Sequence, residues 1–587
     1  MIYENIEYTN VKDISNTFNQ FYKNIAIKLS ANKEKSKNSV EHYLKLQPKP
    51  NNKFNLRKIE TKDIEKITNN MSNKHSTGPH NISNHIIKQI MPTIKNSLTT
   101  CINHSIESGT YPSILKVSKI TPIYKKNIKT DPGNWRPINQ LSPFSKIYEK
   151  IFCDQLESFL QNEKVIDKMQ FGFKSKHSTS HSVLTTIHYL EEARNKKQHS
   201  ILISLDLSKA FDTVDINSLI SKFHYYCQNN TAKSWISDFF LNRRQFTKWN
   251  NYVSNTELCY DKSIVQGSSI GPKMFNLFIN DITTASKFST VLFADDTNCI
   301  LSDTDPKKLE ENVNKELAKI KDFFDANDLS INVLKTSFIH IKTNKSDNIK
   351  FNIKLGNENI NQEKHIEFLG VIIDENLNFE AHYNKVLKKA EKGLNALTTT
   401  KNFLNYAAKI NIYHSLIHSN LSYCSLSWIP KIKSTQLKKL VTLQKKALRA
   451  IFKVKYNTHT SYLFHLSQIT KIDKVVEKES ILLMHKYHKK ELPEAVAEII
   501  DNIRVIGCNT RSQADKIIHT KNDKNEKLTI KTMIGHWNKT NMANRNNNST
   551  NSLKKNITKL QNMPIICTEM NCRSCNFNIN KLIREMR

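Results

Sequence analysis

Ser200-Ile-Leu-Ile-Ser-Leu205, followed at once by Asp206-Leu-Ser-Lys-Ala-Phe-Asp212, decides how this chain is read. The first six residues have the length and apolar, β-branched content of a buried strand. Asp206 stands at the strand's end, and the chain then turns into a helix. An ionised acid in that place is costly unless something satisfies it. Asp is also a good helix N-cap, a competing reading when Asp206 is taken alone. A second stretch bears on the choice. Asp295-Asp296 separate Thr290-Val-Leu-Phe-Ala294 from Thr297-Asn-Cys-Ile-Leu301, two short runs that predict a β-hairpin with the two acids as its turn. Tight hairpin turns favour Asn-Gly or Gly-X, because their residues take positive φ. Adjacent carboxylates are a poor choice on conformational and like-charge grounds, and a divalent cation would remove the electrostatic objection. The bland alternative is a solvated Asp-Asp turn. Together the three acids match two-metal phosphoryl transfer, whose oxygen ligands bridge cations about 3.5–4 Å apart. Mg²⁺ takes only a few carboxylates and completes its shell with water and substrate phosphates.

The rest of the chain sets the context. At 587 residues it is too long for one compact core and fits two to four domains. No run of 18 apolar residues predicts a membrane span. The first ten residues do not read as a secretory signal. Ten scattered Cys argue against a disulfide framework and for a reducing compartment, so the expected location is intracellular, in nucleus and cytoplasm. The formal charge of +34 points to a polyanionic partner. Only about a dozen of the 88 basic residues are Arg, however, and Lys, Asn and Ile are what an AT-rich coding sequence supplies by default. The charge is therefore support, not identification.

Four regions are expected: a helical N-terminal extension over 1–70, an α+β region over 71–374, a mainly helical region over 375–500, and a less regular tail over 501–587, partly disordered. Leu437, Leu440, Val441, Leu448 and Ile451 fall on one face of a helix. Ala543–Asn556 is Asn/Ser-rich and reads as a mobile linker.

Leu205-Asp-Leu-Ser-Lys-Ala-Phe-Asp-Thr-Val-Asp215, Gln266-Gly-Ser-Ser-Ile-Gly-Pro272 with Phe275 and Ile279-Asn-Asp281, and Phe293-Ala-Asp-Asp296 resemble the palm motifs of reverse transcriptases. They are most similar to those of non-LTR (LINE-type) retrotransposons of the jockey and CR1 kind. Upstream, Ser76-Thr-Gly-Pro79, Pro122-Ile-Tyr-Lys125, Asn134-Trp-Arg-Pro-Ile138 and Gln170-Phe-Gly-Phe173 with His177-Ser-Thr179 extend the resemblance. Downstream it continues with Leu329-Ser-Ile-Asn332, Lys335-Thr336 and Phe368-Leu-Gly-Val371. Each motif alone is weak; their common order and spacing carry the resemblance.

The resemblance implies an α+β right-hand polymerase fold of fingers, palm with antiparallel sheet, and helical thumb. It implies RNA-directed DNA synthesis from a 3′-hydroxyl primer. The expected partners are an RNA template, a DNA primer or target and dNTPs, with no membrane; protein partners are not indicated. The cofactor implied is Mg²⁺, with Mn²⁺ as a substitute. By position, Asp206, Asp295 and Asp296 would hold the metal and Lys335 would protonate the leaving pyrophosphate. Lys125, Arg136, Phe211, Gln266 and Gly267 would form the dNTP site, with Phe211 excluding a 2′-hydroxyl. Phe368, Leu369 and Gly370 would grip the primer end.

Each position has a structural alternative: a surface charge for Lys125, Arg136 and Lys335, a core aromatic for Phe211, a loop glycine for Gly267, and a strand with a bulge glycine for Phe368–Gly370. Two departures are visible. His80 stands where the family usually has Asp, and the roughly 75 residues before the first motif would not hold the endonuclease many relatives carry. The spacing Cys567, Cys572, Cys575 offers three thiols without a fourth zinc ligand, so free thiols are expected. A decayed or domesticated copy that binds nucleic acid without catalysis is the alternative function. A group II intron maturase is disfavoured, as no recognisable H-N-H nuclease module is present.

Overall fold

In a computed structural model the chain is described at residues 1–30, 36–259, 261–343, 348–503, 518, 528–547 and 549–561. Cys567, Cys572 and Cys575 lie outside them. The fold is mixed helix and sheet, built around five strands in the order Asn361–Gln362, Ser337–Ile341, His199–Leu205, Asp296–Asp303, Ser289–Phe293. Three of its four pairings are antiparallel, and only the short edge strand Asn361–Gln362 runs parallel to its neighbour.

The strand His199–Leu205 lacks the apolar–polar alternation of a half-exposed strand because both its faces are covered. Ile201, Ile203 and Leu205 enter one core, packed with Ile147, Phe152 and Leu156 of the helix Pro143–Asn162 and with Val313, Leu317 and Ile320 of Pro306–Ala326. Leu202 enters a second core on the opposite face, with Val183, Leu184 and Ile187 of the helix Thr179–Asn195. That second core continues into Glu380–Thr400 and Ser434–Phe452 and on to Leu553 and Ile557. In Ser434–Phe452 the expected apolar face is found: Leu440, Leu448 and Ile451 are buried, with Leu437 and Val441 packed beside them.

A second sheet stands beside the first. Trp135–Gln140 pairs antiparallel with Val117–Tyr124, which runs parallel to Arg244–Trp249. The N-terminal helix Val11–Ser30 is docked onto this sheet. Ser15 Oγ donates to the Thr247 carbonyl at 2.8 Å, and Gln245 Nε2 donates to the Asn19 side chain at 3.3 Å. Phe18 is fully buried against Trp135 and Trp249.

Two sequence readings are corrected. The hairpin turn is Ala294-Asp295, because Asp296 already pairs with Phe293 as the first residue of the next strand. The Asn/Ser-rich stretch expected to be a linker holds helices at Met542–Arg545 and Thr550–Gln561. Leu553 and Ile557, four residues apart, bury one face of the second helix.

Candidate active site

Strand register brings two of the three acids together. Leu205 pairs with Thr297, so the next position outward sets Asp206 against Asp296. By the two-residue period of a strand, both lie on the face occupied by Leu202 and Ile300. Asp295 is carried by the adjoining turn, in which Ala294 takes the positive φ of 57°. A non-glycine residue in that region is strained, and it persists where neighbours over-determine it. Here they do. The Gln170 side-chain oxygen accepts the Ala294 N–H at 2.9 Å and the Gly172 N–H at 2.8 Å. Gly172 allows the approach: a Cβ there would meet the Ala294 nitrogen at 2.4 Å. Gln170 is fully buried, and its motif was legible, but its role in clamping the turn was not.

The electrostatics record the crowding of charge. Burial raises the carboxyl of Asp295, Asp206 repels it further, and its own backbone N–H and Arg136 partly offset both. Asp296 is pushed up to about 6, by burial first and then by Asp295 and Asp206. Asp296 is the more exposed of the pair, so solvent screens part of this effect.

Cations face the acids. Lys335 Nζ lies 3.3 Å from Asp206 Oδ2. The segment before it runs beside the chain leaving Asp206, with the Ser208 N–H on the Ser330 carbonyl and the Asn332 N–H on the Asp206 carbonyl, both at 2.8 Å. Arg136 and Lys125 sit at the mouth of the second sheet's hairpin, where Arg136 pairs with Ile123 and the Lys125 N–H reaches the Asn134 carbonyl at 2.9 Å. The Lys125 ammonium is depressed by burial and by Arg136 and Lys335, while Asp206 opposes the shift. Both basic side chains are exposed.

The remaining expected residues fall in two groups. Phe211 is stacked on Phe275, centroids 4.5 Å apart, with the edge of Phe173 at 6.4 Å. Next to it, buried Asp212 accepts from Gln266 Nε2 at 2.5 Å. Gly267 has φ 104°, and a Cβ on it would sit 2.7 Å from the Asn139 carbonyl oxygen, so this glycine is required by the protein's own backbone. Phe368, Leu369 and Gly370 belong to a separate hairpin. Leu369 and Gly370, both at positive φ, form the two-residue turn between His365–Phe368 and Val371–Asp374. That turn replaces the alternative of a strand with a bulge, and is the type I′ form that suits a twisted hairpin. Tyr423 Oη donates to the Leu369 carbonyl at 2.7 Å, a contact with no signal in the sequence.

Among the described residues no three His, Cys, Asp or Glu side chains converge on one point as a preformed metal cage. The motif acid Asp281 is not near the others in role: it is fully buried and bound by Lys222 Nζ at 2.6 and 2.8 Å. No described helix is long and apolar enough to cross a membrane.

Residues 123–373 match the family "Reverse transcriptase (RNA-dependent DNA polymerase)". The chain is 22% identical over 477 residues to the RNA-directed DNA polymerase from mobile element jockey of Drosophila melanogaster, covering 78% of this chain and 51% of that protein. It is 22% identical over 414 residues to the probable RNA-directed DNA polymerase from transposon BS of the same species, covering 68% and 45%. To the retrovirus-related Pol polyprotein from type-1 retrotransposable element R1 of Bradysia coprophila it is 24% identical over 333 residues, covering 55% and 32%. The chain thus spans about half the length of the first two of these relatives.

Proposed function

We propose that this chain, which carries a reverse transcriptase domain of the non-LTR retrotransposon type, copies RNA into DNA from a 3′-hydroxyl primer. The observation that carries the reading is the set of three carboxylates, Asp206 opposite Asp296 with Asp295 on the turn, confronted by Lys125, Arg136 and Lys335. A nucleoside triphosphate needs that division of labour: cations for its phosphates and carboxylates for the metal that accompanies it.

In this reading the five-stranded sheet is the palm, the sheet of Val117–Tyr124 the fingers, and the helices from Glu380 the thumb. The donor set fits Mg²⁺, with Mn²⁺ as a substitute. Three hard oxygen side chains repel one another, and Mg²⁺ needs only one or two carboxylates beside water and substrate phosphates, so no closed cage is required. When bound, such cations lower the pKa of the attacking hydroxyl and stabilise the leaving pyrophosphate. Asp206, Asp295 and Asp296 would hold them; Arg136 would offer a bidentate fork and Lys125 a point charge to the triphosphate. Lys335, 3.3 Å from Asp206, would supply a proton to the pyrophosphate. Phe211, fixed by Phe275 and Phe173, closes the space a 2′-hydroxyl would need, and the Leu369–Gly370 turn grips the primer. Exposed Lys438, Lys439 and Lys446, lining a groove with Leu387 and Leu394, follow the template–primer backbone without reading sequence.

The direct experiment is primer extension by the purified chain on an RNA template with dNTPs and Mg²⁺. Template-length DNA is expected. No extension, under conditions where a jockey-type enzyme works, would overturn the reading.

A further inference from the structure

The loop from Gln266 to Ile270 enters the helix Gly271–Ile279 without a side-chain cap from the residue at its start. Helix starts leave backbone N–H groups without intrahelical partners, and something from outside must accept them. The Gly271 N–H goes to Ser268 Oγ at 2.9 Å. The Ser269 N–H goes to Glu149 Oε2 at 2.5 Å, and the Ile270 N–H also stabilises that carboxylate. Glu149 belongs to the helix Pro143–Asn162, 120 residues earlier in the chain.

Glu149 is fully buried. Its Oε1 accepts the Ser145 hydroxyl at 2.8 Å, and Ser145 in turn meets the Tyr111 hydroxyl at 2.8 Å. The buried guanidinium of Arg243, set over the Phe239 ring, is the neighbouring cation. A carboxylate in a dry core is expensive, and packing alone would be served as well by leucine. What leucine could not do is accept the loop's N–H groups. The other end of the loop carries Gln266, bonded to Asp212, and Gly267, pressed against Asn139. The Gln266 carbonyl also accepts the Asn139 N–H at 3.3 Å.

We infer that Glu149 is a positioning residue for the nucleotide site, anchoring from behind the loop whose front end presents Gln266 and Gly267. The anchoring stands on geometry alone; its consequence for nucleotide binding rests on the polymerase reading above.

The test compares Glu149→Leu, which keeps volume and loses the acceptor, with Glu149→Gln, which keeps one acceptor oxygen. Hydrogen exchange of the segment 264–275 should rise in Glu149→Leu, less in Glu149→Gln, while the helix Pro143–Asn162 stays protected. In primer extension the KM for dNTP should rise about tenfold in Glu149→Leu, the scale of a lost hydrogen bond to a charged group. The kcat and the template–primer affinity should stay near the parent's. In a Gln266→Ala background the same substitution should add little, because both act through one loop. Unchanged exchange over 264–275 would overturn the inference. So would exchange rising throughout the protein with dNTP KM and template–primer affinity worsening together, which marks a general packing role. If the parent chain does not extend primers at all, the polymerase reading fails, and the exchange measurement still decides the anchoring.

Discussion

Gly172→Ala puts the geometry of the Ala294–Asp295 turn to a quantitative test. A Cβ at Gly172 would lie 2.4 Å from the Ala294 nitrogen and 3.0 Å from the Phe293 carbonyl carbon, against 3.4 Å for ordinary contact. Both obstacles are backbone, so no flexible side chain can move aside. The segment holding Gln170 and Gly172 and the turn holding Asp295 would have to separate by about 1 Å. They are otherwise stitched together: the Phe171 N–H donates to the Leu292 carbonyl at 2.8 Å and the Leu292 N–H to the Met169 carbonyl at 3.0 Å. Overpacking of this kind costs about 1–3 kcal/mol in stability. A displacement of about 1 Å at a reacting centre costs about 100-fold in rate, equivalent to roughly 2.7 kcal/mol of barrier. The assay is single-turnover nucleotide incorporation, with circular dichroism and template–primer binding as controls for folding. Gly535→Ala is the matched control, since a Cβ there meets nothing within 4 Å and the residue lies inside the helix Thr529–Asn538. It should be silent in the assay and stabilise slightly, by up to about 1 kcal/mol. A folded Gly172→Ala protein incorporating within threefold of the parent rate would refute the idea that the Gln170–Gly172 clamp sets the position of Asp295.

Three further outcomes follow from the same structure. Phe211→Val should lower discrimination against ribonucleotides at least about tenfold, measured as the ratio of kcat/KM for dNTP and NTP; unchanged discrimination with a lower melting temperature would leave Phe211 as a core aromatic only. Lys222→Met strips the counter-ion from fully buried Asp281 and should cost about 3–5 kcal/mol in urea denaturation; adding Asp281→Leu should recover much of it, and additive losses would contradict the pairing. The raised carboxyl of Asp296 binds its proton more tightly in the folded chain, so without metal this group's contribution favours folding at low pH and fades as pH rises towards about 6. Mg²⁺ should therefore raise the melting temperature more at pH 7.5 than at pH 5, and an equal rise at both would count against Asp296 as a metal ligand.

What the sequence disclosed, and what it hid, follows from the range of the forces involved. Ser200–Leu205 reads as a buried strand because its apolar content is local, and the hairpin around Asp295 reads from two adjacent runs. The turn was misplaced by one residue, since nothing in Phe293-Ala-Asp-Asp296 tells which residue takes positive φ. That is settled by the Gln170 side chain, 124 residues away in sequence. The N-terminal helix reads as helix but not as part of the sheet region, because its docking depends on single polar contacts such as Ser15 to Thr247. Asparagine and serine masked the helix Thr550–Gln561, whose burial rests on Leu553 and Ile557. Lys125, Arg136 and Lys335 were found by motif, and only the fold shows them sharing one electrostatic neighbourhood with Asp206. Glu149 and Tyr423 act on backbone groups distant in sequence, and residue type alone gives no warning of that.

The central claim, that three carboxylates hold the catalytic metal, is tested most directly by one comparison. Asp295→Asn and the parent chain are assayed side by side for RNA-templated dNTP incorporation and for template–primer affinity. The account predicts that incorporation is abolished while affinity is retained. Incorporation persisting in Asp295→Asn at a rate near the parent's would contradict it.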